Sequence, residues 1–330
     1  MSNDSDRRPT DADLEEILEH TVRAPSLLNS QPWRFVVDGG AVRVYADRAR
    51  QLSALDPDGR ELTMSCGAAL LYLRVAAWHV GWEPTVLPFP DDDADLLATV
   101  TFSPAPRPTG DDRPFRALAL RHTNRLPFKD EPVPFGVPSE LAGAVAAEGA
   151  ALHVFDDDDG KEALARLVEE GVAEQGRDRE VVAEIERWLR PTRDARPDGV
   201  RDSEQGTWDR HAATRTPASA VATYKGRLIR DSPAVLVLAT AADGPADWLA
   251  AGQALARALV VAADRGLAAS YANEPVEVAS LRPKVAALIG DGVPQTIFRV
   301  GYPTPEPASS RRRAADVTEH AGGAAPEARG

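Results

Sequence analysis

The chain has 330 residues, of which 43% are hydrophobic and 27% are charged, and its formal net charge is −13. This length suits one large or two medium domains with a substantial core, and the composition is ordinary for a globular protein. The negative charge argues against a general binder of nucleic acid or of anionic membranes, because such proteins need a basic surface. It leaves room for a small anionic ligand held by a local cluster of arginines.

Cysteine content and hydropathy indicate which covalent links, metal sites and cellular compartment to expect. Cys66 is the single cysteine, which excludes an intrachain disulfide, and neither cysteine nor histidine occurs at metal-ligand spacing, so we expect no metal site. The N-terminus is polar and acidic, without an apolar signal segment. The longest apolar-rich run, residues 68–80, contains Arg74 and His79 and is too short to span a bilayer. These features predict a cytoplasmic protein that binds neither membranes nor nucleic acid.

Hydrophobic spacing predicts the elements of the first half in chain order. Residues 1–10 are expected to be disordered, and a helix is expected to begin at Asp11 or Asp13 and to end at Pro25. Two alternating runs around Gly39-Gly40 predict a β-hairpin. A long helix (61–82), two short strands (84–89 and 96–102) and a linker rich in proline, glycine and charge (103–114) follow.

The second half is predicted to alternate helices and strands around a long polar region. Residues 160–230 are polar and helical in character, and residues 314–330 are assigned to a tail that ends in disorder. The other predicted elements are helices at 115–122, 139–149, 247–267 and 277–290, and strands at 151–155, 232–240 and 294–303.

Two stretches of the chain resemble each other. Residues 67–81 and 252–266 have the same length, begin and end in glycine, and place small or apolar residues at matching positions. Two alanine-rich amphipathic helices would also resemble each other by composition alone. The proline-rich linker between them favours a duplicated unit, so we expect an α+β fold with related halves at 11–102 and 115–313.

Basic side chains cluster at two places in this acidic chain. Arg121, His122, Thr123 and Arg125 fall where a helix gives way to a loop, and three consecutive arginines, 311–313, follow the last predicted strand. Arginine forks pair with phosphate oxygens in a bidentate manner, so each cluster is a candidate phosphate cradle. A solvated basic turn is the alternative reading of either cluster alone.

Three stretches resemble motifs of the nitroreductase family. "APSLLNSQPWRF" (24–35) closely resembles the segment of that family that contacts the flavin, and "RHTNRLPFKDEPVP" (121–134) resembles its arginine signature. "GLAASY", "TIFRVGYP" and the closing arginines resemble its C-terminal part. The resemblance extends over about residues 22–313. It implies a nitroreductase-like α+β fold, an FMN cofactor and NAD(P)H as the reductant.

The resemblance also implies a set of FMN-binding residues. Arg121, Thr123 and the arginines 311–313 would grip the phosphate, and Arg125 would lie nearer the ribityl chain and the pyrimidine edge. Leu27 stands where a second serine is common in the family, so one polar contact is missing. The complete predicted set is Pro25, Ser26, Leu27, Asn29, Gln31, Arg121, His122, Thr123, Arg125, Ser270, Tyr271, Ala272, Arg311 and Arg313.

The order of the motifs carries a further implication. In ordinary family members the arginine signature comes first, and two chains together build each site. Here the flavin-contact motif of residues 24–35, called the Pro-Ser motif below, comes first, and the arginine signature opens the second half. Each half lacks the motif that the other has. The order implies a monomer that folds as an intramolecular pseudo-dimer with one flavin site. It resembles the dormancy-associated single-chain branch of the family, in which a flavin is held under a lid.

Three functions are open from the sequence. The first is an FMN-dependent oxidoreductase that passes hydride from NAD(P)H to a nitro, quinone or similar small-molecule acceptor. It needs no catalytic side chain, because the flavin itself accepts and returns the hydride. The second is a flavin-sequestering protein with little turnover, in which residues 160–230 form a lid with Trp188 or Trp208 as an apolar plug. The third, a scaffold without cofactor, is disfavoured by the density of motifs.

Overall fold

The computed structural model describes residues 7–109, 112–191, 194–201, 218–305 and 309–321. The helices of this part of the chain are α1 (Asp11–Thr21), α2 (Arg60–Val80), α3 (Arg113–Leu120), α4 (Val137–Ala146), α5 (Asp158–Gln175), α6 (Arg179–Trp188), α7 (Ala218–Arg230), α8 (Pro245–Asp264), α9 (Glu274–Glu277) and α10 (Arg282–Ile289). Its strands are β1 (Trp33–Asp38), β2 (Ala41–Ala46), β3 (Trp82–Pro88), β4 (Leu96–Pro104), β5 (Ala151–Phe155), β6 (Leu189–Arg190), β7 (Val200–Arg201), β8 (Ala234–Thr240), β9 (Ala268–Tyr271), β10 (Val293–Gly301) and β11 (Thr318–His320). The predicted α+β fold is confirmed.

The first sheet has the strand order β11-β1-β2-β4-β3. Its β1–β2 hairpin turns at Gly39 and Gly40, whose φ angles of 58° and 87° lie in the left-handed region that glycine adopts without strain. Alternate side chains of β1, among them Trp33 and Phe35, are fully buried and belong to the core that includes α1 and α2. The hairpin predicted from the sequence is confirmed.

The second sheet has the strand order β5-β8-β10-β9. Every residue of its β8 strand is buried. Leu236 and Leu238 share a core cluster with residues of α4 and α8, whereas Val235 and Val237 share another with residues of α5, α7 and α10. Helices therefore cover both faces of this sheet, and its central strand is apolar throughout for that reason.

Helices α2 and α8 cross at a pair of glycines. A β-carbon added at Gly67 would collide with the carbonyl oxygen of Leu249, and one added at Gly252 would collide with the carbonyl oxygen of Met64. These two glycines open the two similar stretches of sequence, so equivalent positions of the stretches meet at the crossing. This reciprocal contact is the packing that a pair of related halves would make, and it supports the prediction of a duplicated unit.

The start of the chain is more ordered than predicted. Thr10, rather than Asp11 or Asp13, caps α1: its side chain accepts a hydrogen bond from the Asp13 amide, and the Asp13 carboxylate accepts one from the Thr10 amide. This capping box satisfies two amides that a helix leaves without an intrahelical partner. Arg8 also donates to the carbonyl oxygen of Gly39 at 3.0 Å. The predicted disorder of residues 1–6 lies outside the described residues.

Three features from β4 onward differ from the predictions. Strand β4 runs on to Pro104 and α3 begins at Arg113, so the linker is shorter than 103–114. The helix predicted at 277–290 is divided, because Val278 has an extended backbone with φ −89° and ψ 114°. Part of the predicted tail forms β11, which pairs in parallel with β1 at Phe35 and Thr318. Such a short strand depends on main-chain hydrogen bonds, which leave little trace in the sequence.

Candidate functional site

A cavity of about 340 Å³ is lined by residues from both sides of the 103–114 linker region. This volume is within the range of roughly 300–1,000 Å³ that is typical of small-molecule sites. The structure brings together eleven of the residues that the sequence predicted for cofactor binding. They are Pro25, Ser26, Leu27, Asn29, Arg121, Thr123, Arg125, Ser270, Tyr271, Ala272 and Arg311, all of which line this cavity.

The segment that follows α1 has an unusual backbone. Leu28, Asn29 and Gln31 have φ angles of 44°, 55° and 52°, although none of them is a glycine. A residue in this conformation typically costs about 1–3 kcal/mol and persists where its surroundings hold it. Here the Ser26 hydroxyl accepts a hydrogen bond from the Gln31 amide at 2.9 Å, and Ser65 accepts one from the Leu27 amide at 3.2 Å. Several of the polar groups in this connector therefore fix the loop itself.

Asn29 is the clearest candidate ligand of this loop. Its side-chain nitrogen donates to the carbonyl oxygens of Gly199 at 2.9 Å and Ser310 at 3.2 Å. Its Oδ1 is buried and has no hydrogen-bond partner among the described residues. Leaving such an acceptor unsatisfied costs about 1–3 kcal/mol. A bound molecule that donates a hydrogen bond would remove this cost, and a flavin offers its ring N3–H and its ribityl hydroxyls for that purpose.

Two arginines reach the same loop from distant parts of the chain. Arg121 donates to the hydroxyl of Tyr72 at 2.9 Å and to the carbonyl oxygen of Arg23 at 3.0 Å. Arg311 donates to the carbonyl oxygen of Ala24 at 3.3 Å. Both guanidiniums therefore donate hydrogen bonds to the backbone carbonyl oxygens of the two residues just before Pro25. The arginine motifs and the Pro-Ser motif, far apart in sequence, form one site.

The end of the cavity that contains Tyr271 is positively charged. Burial raises the pKa of the Tyr271 hydroxyl to about 12, and the guanidiniums of Arg121, Arg125 and Arg311 oppose that rise. The loop that carries these first two arginines is fixed against β9, because the Asn124 amide donates to the carbonyl oxygen of Ala269 at 2.9 Å. A cluster of guanidiniums on a fixed loop is suited to a phosphate. The residues present thus fit a flavin with a phosphate group.

Three predicted residues lie away from the cavity lining. Gln31 is fully buried; its Oε1 accepts from the Arg312 amide at 2.8 Å, and its Nε2 donates to the carbonyl oxygen of Pro197 at 2.9 Å. The His122 Nδ1 lies 3.2 Å from the carbonyl oxygen of Leu120, at the end of α3. Arg313 pairs with Asp316 at 2.7 Å, and its side chain is 79% exposed. Gln31 thus supports the loop, and Arg313 points to solvent.

Residues 178–191 and 194–201, here called the strap, cover one side of the cavity with Val182, Ile185, Leu189 and Val200. The Glu184 carboxylate accepts hydrogen bonds from the amides of Ala54 and Leu55 at 3.0 and 2.9 Å. Asp198 pairs with Arg190 at 2.6 Å and also with Arg50. The strap is therefore fastened to the first half of the chain.

The strap is narrower than the lid predicted at residues 160–230. Leu164 and Val168 of α5 and Ile229 of α7 are buried in the core that includes β8, so these two helices belong to the second half itself. Trp188 packs against the cluster of Leu52, Leu55 and Val181, with the Arg50 guanidinium 5.4 Å above its ring. The predicted role of Trp208 concerns a residue outside the described ranges.

Carboxylates in the cavity lining were not predicted. Glu61, Glu274 and Glu277 line the cavity together with Lys225. The predicted flavin-binding residues near Tyr271 ended at Ala272, two residues before Glu274. Glu61 is the single acidic residue of α2, and this is the one signal in the sequence that could have drawn attention to it.

Among the described residues, no helix is both long enough and apolar enough to cross a membrane.

Comparison with family models matches residues 4–56 to the nitroreductase family. Among curated proteins, "Putative NAD(P)H nitroreductase acg" of Mycobacterium tuberculosis is 33% identical over 314 residues, which cover 91% of this chain and 93% of that protein. A second M. tuberculosis relative with the same functional name is 32% identical over 327 residues, covering 93% of this chain and 91% of its own.

Similarity to solved structures is weaker. The NADPH:FMN oxidoreductase from Vibrio harveyi, complexed with NAD+, is 12% identical, with a TM-score of 0.38, and the match covers 61% of this chain and 73% of that one. An FMN-bound and iodotyrosine-bound iodotyrosine deiodinase is 14% identical, with a TM-score of 0.41, over 60% of this chain and 95% of its own. The identity to the mycobacterial relatives over nearly the whole chain shows that this protein belongs to the nitroreductase family of oxidoreductases.

Proposed function

We propose that the chain binds one FMN in the cavity between its halves and transfers hydride from NAD(P)H to a nitro, quinone or similar acceptor. This proposal rests on the hydrogen bonds that Arg121 and Arg311 donate to the carbonyl oxygens of residues 23 and 24. It rests also on the unsatisfied Oδ1 of Asn29, which lines the same cavity. The mycobacterial relatives are named as NAD(P)H nitroreductases, which supports NAD(P)H as the reductant.

The residues of the cavity have separate roles in this proposal. Arg121, Thr123 and Arg311 would hold the phosphate. Arg125 stabilises the negative charge that a flavin gains at its pyrimidine edge on reduction, since a nearby cation favours the charged form. Asn29 accepts a hydrogen bond through Oδ1. The flavin supplies the redox chemistry, and the chain supplies its position and its electrostatic environment.

We also propose a single flavin site in a monomeric pseudo-dimer. The loop with Pro-Ser, Asn and Gln-Pro-Trp (25–33) comes from the first half and the arginines from the second, and each of these two motifs occurs once in the sequence. The reciprocal contact of Gly67 and Gly252 supports the relation between the halves. Since both halves are in one chain, a second copy is not needed to complete this site.

The strap favours a second candidate function, a protein that holds flavin with little turnover. The Gly199 amide donates to the carbonyl oxygen of Asn29 at 3.2 Å, and the Asn29 side chain donates back to the Gly199 carbonyl oxygen at 2.9 Å. The strap is thus bonded directly to a proposed flavin ligand. If it stays closed, it limits the access of NAD(P)H and of the acceptor.

Anaerobic addition of NAD(P)H to the purified protein separates these functions. A yellow protein whose absorbance near 450 nm is lost rapidly supports the oxidoreductase. A yellow protein that NAD(P)H leaves oxidised, and that dithionite reduces, supports the flavin-holding function. A colourless protein that cannot be reconstituted with FMN contradicts both.

A further inference from the structure

Three glutamates line the cavity on elements other than those that carry Arg121 and Arg311. Glu61 belongs to the first turn of α2, and Glu274 and Glu277 belong to α9. Glu61 and Glu274 are only 5% and 7% exposed. Carboxylates are rarely buried to this extent unless each is paired.

The pairing of these carboxylates is incomplete. Glu61 accepts hydrogen bonds from Arg60 at 3.0 Å and Asn273 at 3.1 Å. Glu277 accepts one from the side-chain amide of Gln175 at 2.6 Å. Glu274 pairs with Lys225 through Oε1, but its Oε2 is buried and has no hydrogen-bond partner among the described residues.

The groups that face this cluster leave it with an excess of negative charge. Helix α2 contributes Arg60 and Glu61, α5 contributes Gln175, α7 contributes Tyr224 and Lys225, and α9 contributes Glu274 and Glu277. β10 contributes Thr296, which donates to the Asn273 Oδ1 at 2.9 Å. Two cations thus face these three carboxylates, and Asp56, whose carboxylate accepts a hydrogen bond from the Glu61 amide at 3.1 Å, is a fourth acidic group beside them.

The titration of the cluster agrees with this excess. Burial raises the pKa of Glu61 to about 7, with Asp56 adding to the rise and Arg60 opposing it. Burial, followed by the charges of Glu61 and Glu274, raises the pKa of Glu277 well above its usual range. Neighbouring carboxylates disfavour each other's charged forms. A bound cation would relieve this repulsion.

We propose that the part of the cavity lined by these glutamates is the subsite of the acceptor substrate and that it takes a cationic nitrogen, an amine or an amidine, carried on an apolar body. The unsatisfied Glu274 Oε2 accepts a hydrogen bond from that nitrogen. Apolar side chains of α5 and α7 lie against the same cavity and contact the body of the ligand: Val172, Val221, Leu228 and Ile229. The assignment of this subsite to the electron acceptor rests on the proposed function. The selectivity for a cation rests on the glutamates alone.

Matched ligands test the charge preference. Para-nitrobenzylamine, para-nitrobenzyl alcohol and para-nitrobenzoate have similar bodies and carry positive, zero and negative charge at neutral pH. Their affinities for the holoprotein are measured by titration calorimetry in two buffers of different ionisation enthalpy. We expect the amine to bind about tenfold more tightly than the alcohol, and the benzoate to bind most weakly. Binding of the amine should release protons, and its affinity should rise between about pH 6 and pH 8.

Isosteric variants assign the preference to the glutamates. Glu274→Gln and Glu277→Gln should each reduce the preference for the amine to about twofold or less. Glu186→Gln, which removes a carboxylate from the exposed part of the cavity lining on α6, should leave it unchanged. If Glu274→Gln does not fold because Lys225 loses its partner, Glu277→Gln and the wild-type ligand series still decide.

The proposal is overturned if the three ligands bind equally, if the benzoate binds most tightly, or if both glutamine variants keep the full preference. Calorimetry does not depend on a flavin signal, so it gives this answer even for a colourless protein. A colourless protein would contradict the proposed function and leave the charge preference to be measured in the same way. A yellow protein without charge preference contradicts only the substrate class.

Discussion

Arg121 donates a hydrogen bond from Nη2 to the carbonyl oxygen of Arg23 at 3.0 Å, across 98 residues of sequence. That carbonyl lies immediately before Ala24-Pro25-Ser26, so the contact joins the arginine motif to the Pro-Ser motif. In its two hydrogen bonds the guanidinium donates to the Tyr72 hydroxyl and to a peptide carbonyl oxygen, neither of which is an acidic group. Its positive charge is therefore not neutralised by either contact.

Replacing Arg121 tests the proposed phosphate site. Hydrogen bonds to charged groups contribute about 1.5–3 kcal/mol each, so Arg121→Ala should raise the Kd for FMN by about tenfold to a hundredfold. The Kd for riboflavin, which has no phosphate, should change much less. Both values can be measured by quenching of flavin fluorescence.

Arg313→Ala is the matched control, because its guanidinium pairs with Asp316 and its side chain is 79% exposed. We expect its Kd for FMN to equal that of the wild type. The assignment of the phosphate to Arg121 would be contradicted if both variants lost the same affinity for FMN. It would also be contradicted if Arg121→Ala lost as much affinity for riboflavin as for FMN.

Asp198 tests whether the strap controls access. It holds both Arg50 and Arg190, so Asp198→Asn removes the charge that fastens the strap to the first half. Breaking a buried ion pair can cost 3–5 kcal/mol, and the partial exposure of Arg50 and Asp198 reduces this. We expect FMN to dissociate about tenfold faster, which stopped-flow fluorescence measures. Asp231→Asn removes an exposed pair with Arg227 and should leave the rate unchanged; equal rates in all three proteins would show that the strap does not retain the flavin.

Gly67 tests the crossing of α2 and α8. Gly67→Ala places a β-carbon against the carbonyl oxygen of Leu249, and such overpacking typically costs about 1–3 kcal/mol. The free energy of unfolding, measured in urea, should fall by that amount. Gly143→Ala on α4 has no neighbour within 4 Å and should raise it by up to about 1 kcal/mol, since alanine favours a helix. A Gly67→Ala variant as stable as Gly143→Ala would refute the close approach.

Glu61 predicts a pH dependence of stability. Because its pKa is raised from 4.5 to about 7 in the folded chain, the folded state binds a proton there that the unfolded state has lost. Its contribution to the free energy of unfolding should therefore be largest below about pH 4.5 and should fall as the pH rises to about 7. In Glu61→Gln this decline should be absent, so its stability should approach or exceed that of the wild type at neutral pH. Parallel pH profiles of the two proteins would contradict the raised pKa.

The sequence predicted much of the fold, because motifs and periodicity are local, and eleven of the fourteen residues predicted for the site line one cavity. It did not predict the inward turn of Gln31, whose φ of 52° depends on the Ser26 hydrogen bond and on the Arg312 amide. Arg313 was misplaced for a similar reason, since its pairing with Asp316 depends on a short turn after the arginines.

The cluster of buried glutamates in the cavity was not predicted from the sequence, because burial depends on packing between distant elements. Glu61 and Glu277 occupy ordinary helical positions in the sequence, and only the contact of α2 with α9 through Asn273 reveals their shared environment. The β11 strand escaped prediction because three residues are too few to show an alternating pattern.

The ratio of FMN to protein chain in the reconstituted, purified protein is the most direct test of the central claim. Flavin released by denaturation is quantified by absorbance against protein concentration from amino-acid analysis. A cavity assembled once, from one Pro-Ser loop and one set of arginines, predicts one FMN per chain. A ratio of two per chain, or of one per two chains, would contradict a single site built within one chain, and a ratio of zero would contradict flavin binding altogether.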